Sequence, residues 1–350
     1  MNRPHPTYRA AIIGLGFIGG GDQVSGDAIG GQQVSNLDGT HAEALSKNER
    51  VQLVAGSSRD AGRRERFTQR TGVKTYADWR EMLDKERPAI VSVATYSPQH
   101  AEITIACAER GVRVIYCEKP IATRVVDAER MLAACEKAGA LLVINHNRRF
   151  HAHHRRLRDE IARGLLGDLT SAALRWGNGR LGNVGTHLID ALCMLTGRKV
   201  EAVSATLDLS PKADCRGPDF HDPGGWGVMR LTGGLTATVD NSNYATGSAL
   251  IILYGTKARA TVGGTGIAID FWDGRTDHWA SQRGQSTSMD RAVAEIVEWL
   301  DGRGAFPYAA QDAVRTLEAI VAFHVSHARK AAWVELPPQG EDRHREVRSG

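Results

Sequence analysis

The sequence predicts an α/β fold: an N-terminal Rossmann doubly wound parallel sheet plus a C-terminal α+β domain with an open, largely antiparallel sheet. Three observations carry this. Strand-like and helix-like segments alternate from Tyr8 to Ile144, the signature of βαβ units. Several of the strand-like runs are uninterruptedly apolar, as in parallel strands buried on both faces. Beyond Arg149 short alternating strands separated by Gly and Asp turns take over, which suits an antiparallel sheet.

A chain of 350 residues exceeds the size at which one core stops growing, so two domains are expected. They are placed at residues 1–149 (dinucleotide-binding) and 150–337 (substrate and oligomerisation), with 338–350 a flexible tail because it is polar and charged. Apolar residues make up 42% and charged residues 24% of the chain, an ordinary globular balance. The net charge of +4, with both signs interspersed, gives no nucleic-acid footprint. No apolar run approaches a bilayer span, and the first residues lack a signal core. Five cysteines without paired spacing (Cys107, Cys117, Cys135, Cys193, Cys215) suit buried thiols in a reducing, cytoplasmic compartment. No metal site is expected.

In chain order, Tyr8–Ile13 reads as a strand and Gly14-Leu-Gly-Phe-Ile-Gly19 as a tight turn opening a helix. Gly20 to Thr40 is a polar insert longer than a plain βαβ connection needs. His41–Leu45 reads as helix, Val51–Ala55 as strand, Arg63–Arg70 and Trp79–Leu83 as helices, and Ala89–Ala94 as a buried strand. Gln99–Arg110 is a helix stopped by Gly111, Val112–Cys117 a strand, Val126–Lys137 a helix closed by Gly139, and Leu141–Ile144 a strand. The second domain offers strands at 171–176, 200–207, 227–231, 235–240, 250–254 and 258–262. It also offers helices at 186–195, 289–300 and 309–330.

Gly14, Gly16 and Gly19 have separate duties in a dinucleotide fingerprint: the turn, close approach of backbone to pyrophosphate, and helix–strand packing. Phe17 and Ile18 lie between them, where the exposed N–H groups of a helix start favour an anion. Binding of NAD requires an acid at the end of the second strand to accept both ribose hydroxyls. Instead Ser57, Ser58 and Arg59 stand there, with Asp60 one step beyond. Hydroxyls and a guanidinium suit a 2′-phosphate, which favours NADP over NAD.

The stretch Val91 to His100, then Val112 to Tyr116 and Glu118-Lys119-Pro120, resembles the glucose–fructose oxidoreductase and inositol dehydrogenase (Gfo/Idh/MocA) family. The resemblance takes in the glycine motif, Asn145 to Phe150, Gly185-Thr-His187-Leu-Ile-Asp190 and Tyr254-Gly-Thr-Lys257. It implies a nicotinamide across the carboxyl edge of the sheet, a carbohydrate between the domains, and a homodimer or homotetramer associating through the open sheet. It further implies that Thr95, His100, Glu118 and Lys119 contact the cofactor, that Lys119 and His187 are catalytic, and that Asn183 joins them. The family commonly has Asp four residues before the histidine. Asn183 cannot accept a proton, so a simple carboxylate relay is in doubt here, and Asp190 is a candidate partner for the His187 imidazole.

Oxidising a carbinol requires a base within reach of the hydroxyl proton and a donor for the developing oxyanion. An imidazole titrates in the useful range, and an ammonium supplies the charge. Lys119, Arg149, Asn183, His187 and Tyr244 are the candidate substrate contacts, with Arg148 and Arg180 further candidates for an acidic substituent. Trp176 and Trp226 are either stacking surfaces or core, and His151, His153 and His154 read as a solvated helical face. The leading function is an NAD(P)-dependent sugar or polyol oxidoreductase. The alternatives are a redox-neutral NAD-dependent glycosidase, motivated by Asn183 and the insert, and a non-catalytic sensor, which Lys119 and His187 disfavour.

Overall fold

The computed structural model describes residues 7–24, 38–211, 220–244, 247–281 and 286–348. The middle of the Gly20–Thr40 stretch, 25–37, and Cys215 lie outside the described residues. The first sheet has six strands: β1 (Tyr8–Ile13), β2 (Val51–Ser57), β3 (Lys74–Tyr76), β4 (Ile90–Val93), β5 (Val114–Cys117) and β6 (Leu141–Ile144). All pairs are parallel, in the order β3-β2-β1-β4-β5-β6. The order reverses between β1 and β4, so a crevice forms outside their carboxyl ends. β4 and β5 are buried along their whole length, as their unbroken apolar runs require. The short β3 was not foreseen, because three edge residues carry little periodicity.

The alternating helices are α1 (Phe17–Gly20), α2 (His41–Lys47), α3 (Ala61–Thr71), α4 (Trp79–Glu86), α5 (His100–Glu109) and α6 (Val125–Ala138). Gly111 (φ 76°) and Gly139 (φ 64°) adopt the left-handed conformation just past α5 and α6, the stops expected of glycine. The expected helix after the glycine motif is a single turn, closed by Gly21 at φ 71°. α2 restarts with a capping box, in which Thr40 Oγ1 accepts from the Glu43 N–H while Glu43 accepts from the Thr40 N–H.

The second sheet runs β14-β13-β12-β11-β7-β10-β9-β8-β15. Its strands are β7 (Leu169–Arg175), β8 (Val200–Asp208), β9 (Gly224–Leu231), β10 (Thr236–Asn241), β11 (Leu250–Gly255), β12 (Ala258–Gly263), β13 (Gly266–Phe271), β14 (Thr276–Ala280) and β15 (Val334–Glu335). Only β7 and β10 pair in parallel. Burial alternates along β10, with Ala237, Val239 and Asn241 inside, as a sheet with one covered face demands. The accompanying helices are α7 (Ala152–Ala162), α8 (Thr186–Thr196) and α10 (Gln311–Ala328). Phe323 of α10 sits against Gly227, where a Cβ would lie 2.8 Å from its ring.

The chain divides into two compact units, Met1–Ala122 with Asp127–Asn145 and Gln285–Gln311, and Thr123–Val126 with His146–Gly284 and Asp312–Gly350. Helix α9 (Ser288–Leu300), read from the sequence as part of the second domain, thus belongs with the first sheet. There the Ser288 N–H donates to Asp38, and Tyr8 and Arg50 bond Asp301 just beyond its end. Nor does composition decide the fate of the tail. It forms a 3-10 turn at Gly340–His344, Arg329 pairs with Asp342 at 2.8 Å, and Val347 is buried and donates to the Thr123 carbonyl. No helix among the described residues is long and apolar enough to cross a membrane.

Candidate active site

The glycine turn sits at the carboxyl ends of β1, β2 and β4. Gly14 has φ +102° and donates its N–H to the Ser57 carbonyl; a Cβ there would lie 2.3 Å from the Ala94 carbonyl oxygen. A Cβ on Gly19 would lie 2.0 Å from the Gly14 oxygen. These contacts exclude any other residue and bring strand, turn and helix together at backbone distance. No side chain caps α1 at Gly16, and the buried Thr95 Oγ1 has no hydrogen-bond partner among the described residues. Uncapped amides at the start of α1, beside a tightly packed glycine turn, and an orphaned hydroxyl fit a dinucleotide pyrophosphate.

At the end of β2, Ser57 is buried, Ser58 half-buried and Arg59 exposed. Asp60 is occupied in capping α3, accepting from the Arg63 N–H at 2.8 Å. Arg64 donates through Nη1 to the carbonyls of Ser58 (2.7 Å) and Arg59 (2.9 Å), which places a second guanidinium at this corner. Arg66 bonds both oxygens of the buried Asp22 at 2.8 Å, with Arg63 3.7 Å away, and Arg70 donates to the Gly20 carbonyl. The cations at this corner are thereby sorted: Arg63 and Arg66 share the single carboxylate of Asp22, while Arg59, just before α3, and Arg64 have no acid partner among the described residues.

Lys119 follows β5, half-buried, on a loop with a cis Lys119–Pro120 peptide. Beside it Glu118 is buried and fully engaged. Its Oε1 accepts from His41 Nε2 (3.0 Å) and Asn145 Nδ2 (2.6 Å), and its Oε2 from the Lys119 N–H (3.3 Å). Tyr116 donates to Asn145 at 2.7 Å, and His41 Nδ1 shares a hydrogen bond with the Ser92 hydroxyl. Burial opposes the charge on Glu118, yet the His41 bond and charge, the Lys119 ammonium and the Asn145 amide hold its carboxyl at about 2.

His100 requires a correction. Expected to touch the cofactor, it is 1% exposed, and its Nδ1 and Nε2 face the carbonyls of Pro120 (2.9 Å) and Thr95 (3.0 Å). The ring lies between the loops after β4 and β5, its single N–H donating to one of these two carbonyls. Burial pushes its imidazole below the ordinary range against the pull of those carbonyls. Glu118 likewise offers its oxygens to protein groups.

In the second unit, His187 lies in the first turn of α8, half-buried, after a π-helical turn at Leu181–Gly185 that carries the half-buried Asn183. π turns recur at functional positions. Asp222, buried, accepts from the N–H groups of Gly182 (2.6 Å) and Asn183 (2.8 Å). Asn178 and Arg180 adopt positive φ, and the Arg180 and Leu181 N–H groups reach the carbonyls of Asp222 and Pro223. Trp176 is core: 2% exposed, it donates to the Gly179 carbonyl and packs beneath Gly185.

Arg149, expected to bind an acidic substituent, is instead buried between two carboxylates. It bonds Asp190 through Nε and Nη2 (2.8–2.9 Å) and Asp312 through Nη1 (3.1 Å). Asp190, fully buried, is thus taken by Arg149, and the His146 ring stands 3.8 Å from it and edge-on to His187, centroids 6.0 Å apart. Tyr244 is exposed, its hydroxyl bonded to the Pro211 carbonyl. Trp226 is also exposed. His151, His153 and His154 belong to the start of α7, and no group of three or more His, Cys, Asp or Glu among the described residues could hold a metal ion.

Residues 8–146 match the family described as "Oxidoreductase family, NAD-binding Rossmann fold", and residues 143–261 match "GFO/IDH/MocA C-terminal domain". The chain belongs to the Gfo/Idh/MocA family. Among curated relatives of this Gfo/Idh/MocA member, myo-inositol 2-dehydrogenase of Thermotoga maritima is 29% identical over 160 residues, 45% of this chain and 42% of the relative. The chain matches between 33% and 53% of the length of the first curated relatives. Among solved structures, aldose-aldose oxidoreductase from Caulobacter crescentus, complexed with glycerol, superposes with TM-score 0.78 at 20% identity, covering 94% of this chain and 100% of that one. WlbA dehydrogenase from Bordetella pertussis, in complex with NADH and UDP-GlcNAcA, gives 0.76 at 18%, covering 95% and 99%.

Sequence reasoning missed His41, Arg64, His146 and Asp222 as parts of these sites. The Thr-His-Ala-Glu capping box at residues 40–43 was a readable signal for where His41 sits. Nothing local pointed from Asp222 to a turn forty residues earlier.

Proposed function

We propose that this Gfo/Idh/MocA member is a nicotinamide-dependent dehydrogenase that interconverts a carbinol and a ketone on a sugar, sugar acid or cyclitol. The observation that carries this is the Glu118-Lys119-Pro120 loop, which presents an ammonium at the carboxyl end of the interior parallel strand β5, two strands from the glycine turn. Bound there, the dinucleotide supplies a hydride acceptor. Lys119 hydrogen-bonds the reacting hydroxyl and stabilises charge as it develops on oxygen. His187 takes the hydroxyl proton, and Asn183 orients a neighbouring hydroxyl by donating and accepting hydrogen bonds.

NADPH is the favoured cofactor, because the acid near the end of β2 is occupied in a helix cap and two guanidinia with no acid partner among the described residues, Arg59 and Arg64, flank Ser58. Fluorescence titration should give tighter binding of NADPH than NADH, and Arg64→Gln and Arg59→Gln should each narrow the difference. Equal affinities in the parent chain would remove the preference. Association of copies through the open face of the second sheet, where Val228, Ile252 and Tyr254 stand half-buried, is tested by light scattering after gel filtration.

Relatives named as dehydrogenases and reductases support net redox chemistry over the redox-neutral glycosidase. A panel of polyols, aldoses and cyclitols should yield accumulating NADPH from NADP. Aglycone release from an aryl glycoside, with no reduced cofactor accumulating, would overturn the dehydrogenase reading.

A further inference from the structure

We propose that His41 is a positioning residue for Lys119, acting through Glu118. This rests on the role given to Lys119 above and names the device that sets it. His41 is wholly buried, although it is the first residue of α2 after a long polar stretch. Its Nε2–H is one of two side-chain donors to Glu118 Oε1, the other being Asn145, while Glu118 Oε2 receives the Lys119 N–H. The ring is fixed on its other side by Ser92 and lies 4.7 Å from the Tyr116 ring.

A carboxylate this deeply buried persists as an anion only while its donors are in place. Removing the imidazole donor leaves Asn145 and one backbone N–H against the same desolvation. Glu118 then binds a proton or turns away, and the negative charge adjoining Lys119 is lost with it. The ammonium of Lys119 is thereby favoured less, and its side chain is less constrained. His41, Asn145 and Lys119 are bonded to this carboxylate, Tyr116 is bonded to Asn145 and lies beside the His41 ring, and the buried His100 and Cys117 also feel its charge.

The seat of His41 is itself set from a distance within the same unit. The Thr40–Glu43 capping box fixes the start of α2, Gly39 (φ +87°) lies against Thr287, and Asp38 accepts from the Ser288 N–H at the start of α9. His41 therefore joins the end of the insert to the loop after β5.

Competitive acetylation of the full chain with limiting acetic anhydride, read by peptide mass spectrometry, needs neither substrate nor cofactor. In His41→Met, which keeps the volume and loses the donor, acetylation of Lys119 relative to Lys74 and Lys85 should rise by about tenfold, the factor for one unit of proton affinity. His41→Gln, which restores an N–H, should return it to within about threefold of the parent. Ser92→Ala, a milder change if the Met variant fails to fold, should raise it by about two- to threefold, as expected for loss of one neutral hydrogen bond. Unchanged Lys119 labelling in the Met or Ala variant, or a Gln variant no different from Met, would overturn the proposal. Failure of both NADPH and NADH to bind the parent chain would instead defeat the dehydrogenase reading and leave the labelling result standing.

Discussion

The loop that carries Lys119 and the turn that carries His187 are held by opposite means. Around Lys119 the ties come from side chains. His41 and Asn145 hold the Glu118 carboxylate, and the buried His100 ring sits between the Pro120 and Thr95 carbonyls. Around His187 they come from backbone amides, with the N–H groups of Gly182 and Asn183 converging on Asp222 and those of Arg180 and Leu181 on nearby carbonyls. A side-chain network specifies residue types and leaves a motif in the sequence. An amide-held turn specifies conformation, which many sequences satisfy.

The largest effects should come from Lys119 and His187, the two groups proposed above for the chemistry. Lys119→Ala and His187→Ala should each lower kcat/KM by about 10²–10⁴-fold, the usual worth of a positioned acid or base, while NADPH binding by fluorescence stays nearly unchanged. Near-normal turnover in either variant would remove that residue from the chemistry.

The next effect separates the two regions by acid. Glu118 is held at about 2 in the folded chain against an ordinary 4.5. Its folded value is the lower one, so the stability it contributes is complete above about 4.5 and lost as pH falls through about 2, by about 3 kcal/mol. Urea unfolding at stepped pH should show this loss in the parent chain and a flatter profile in Glu118→Gln. Parallel profiles would mean that the network is not its source.

Smaller changes should follow from the amide-held turn. Asp222→Ala strands one buried and one half-buried N–H group and should cost about 2 kcal/mol, with Asp222→Asn costing about half of that because it keeps an acceptor. Thermal unfolding measures both; no loss in the Ala variant would show that the turn stands without its acid. Thr40→Ala, which removes the cap of α2, should cost about 1 kcal/mol. The same measurement checks it, and an unchanged midpoint would show that α9 alone seats the helix.

Both sheets were legible in outline because burial on two faces and burial on one face write different periodicities, and the glycine turn and Glu118-Lys119-Pro120 are local strings. The edge strands β3, β14 and β15 and β13 beside β14 were not; β3 and β15 are only three and two residues long. The role of Arg149 was misjudged for a physical reason. A cation is an invitation to an acidic ligand only if no protein carboxylate is nearer, and Asp190 and Asp312 are 41 and 163 residues away in sequence. His100 misled in the same way, because the carbonyls that engage it belong to two loops whose proximity only the folded sheet creates.

The return of α9 to the first sheet has a consequence for protein engineering. A fragment ending near residue 149 would lack the helix whose start bonds Asp38 and whose following residue, Asp301, receives Tyr8 and Arg50. A chimera that grafts this nucleotide-binding half onto a relative must therefore transplant two separate stretches of chain, and because Asp312–Gly350 belongs to the second unit, joining the old termini does not make the half continuous.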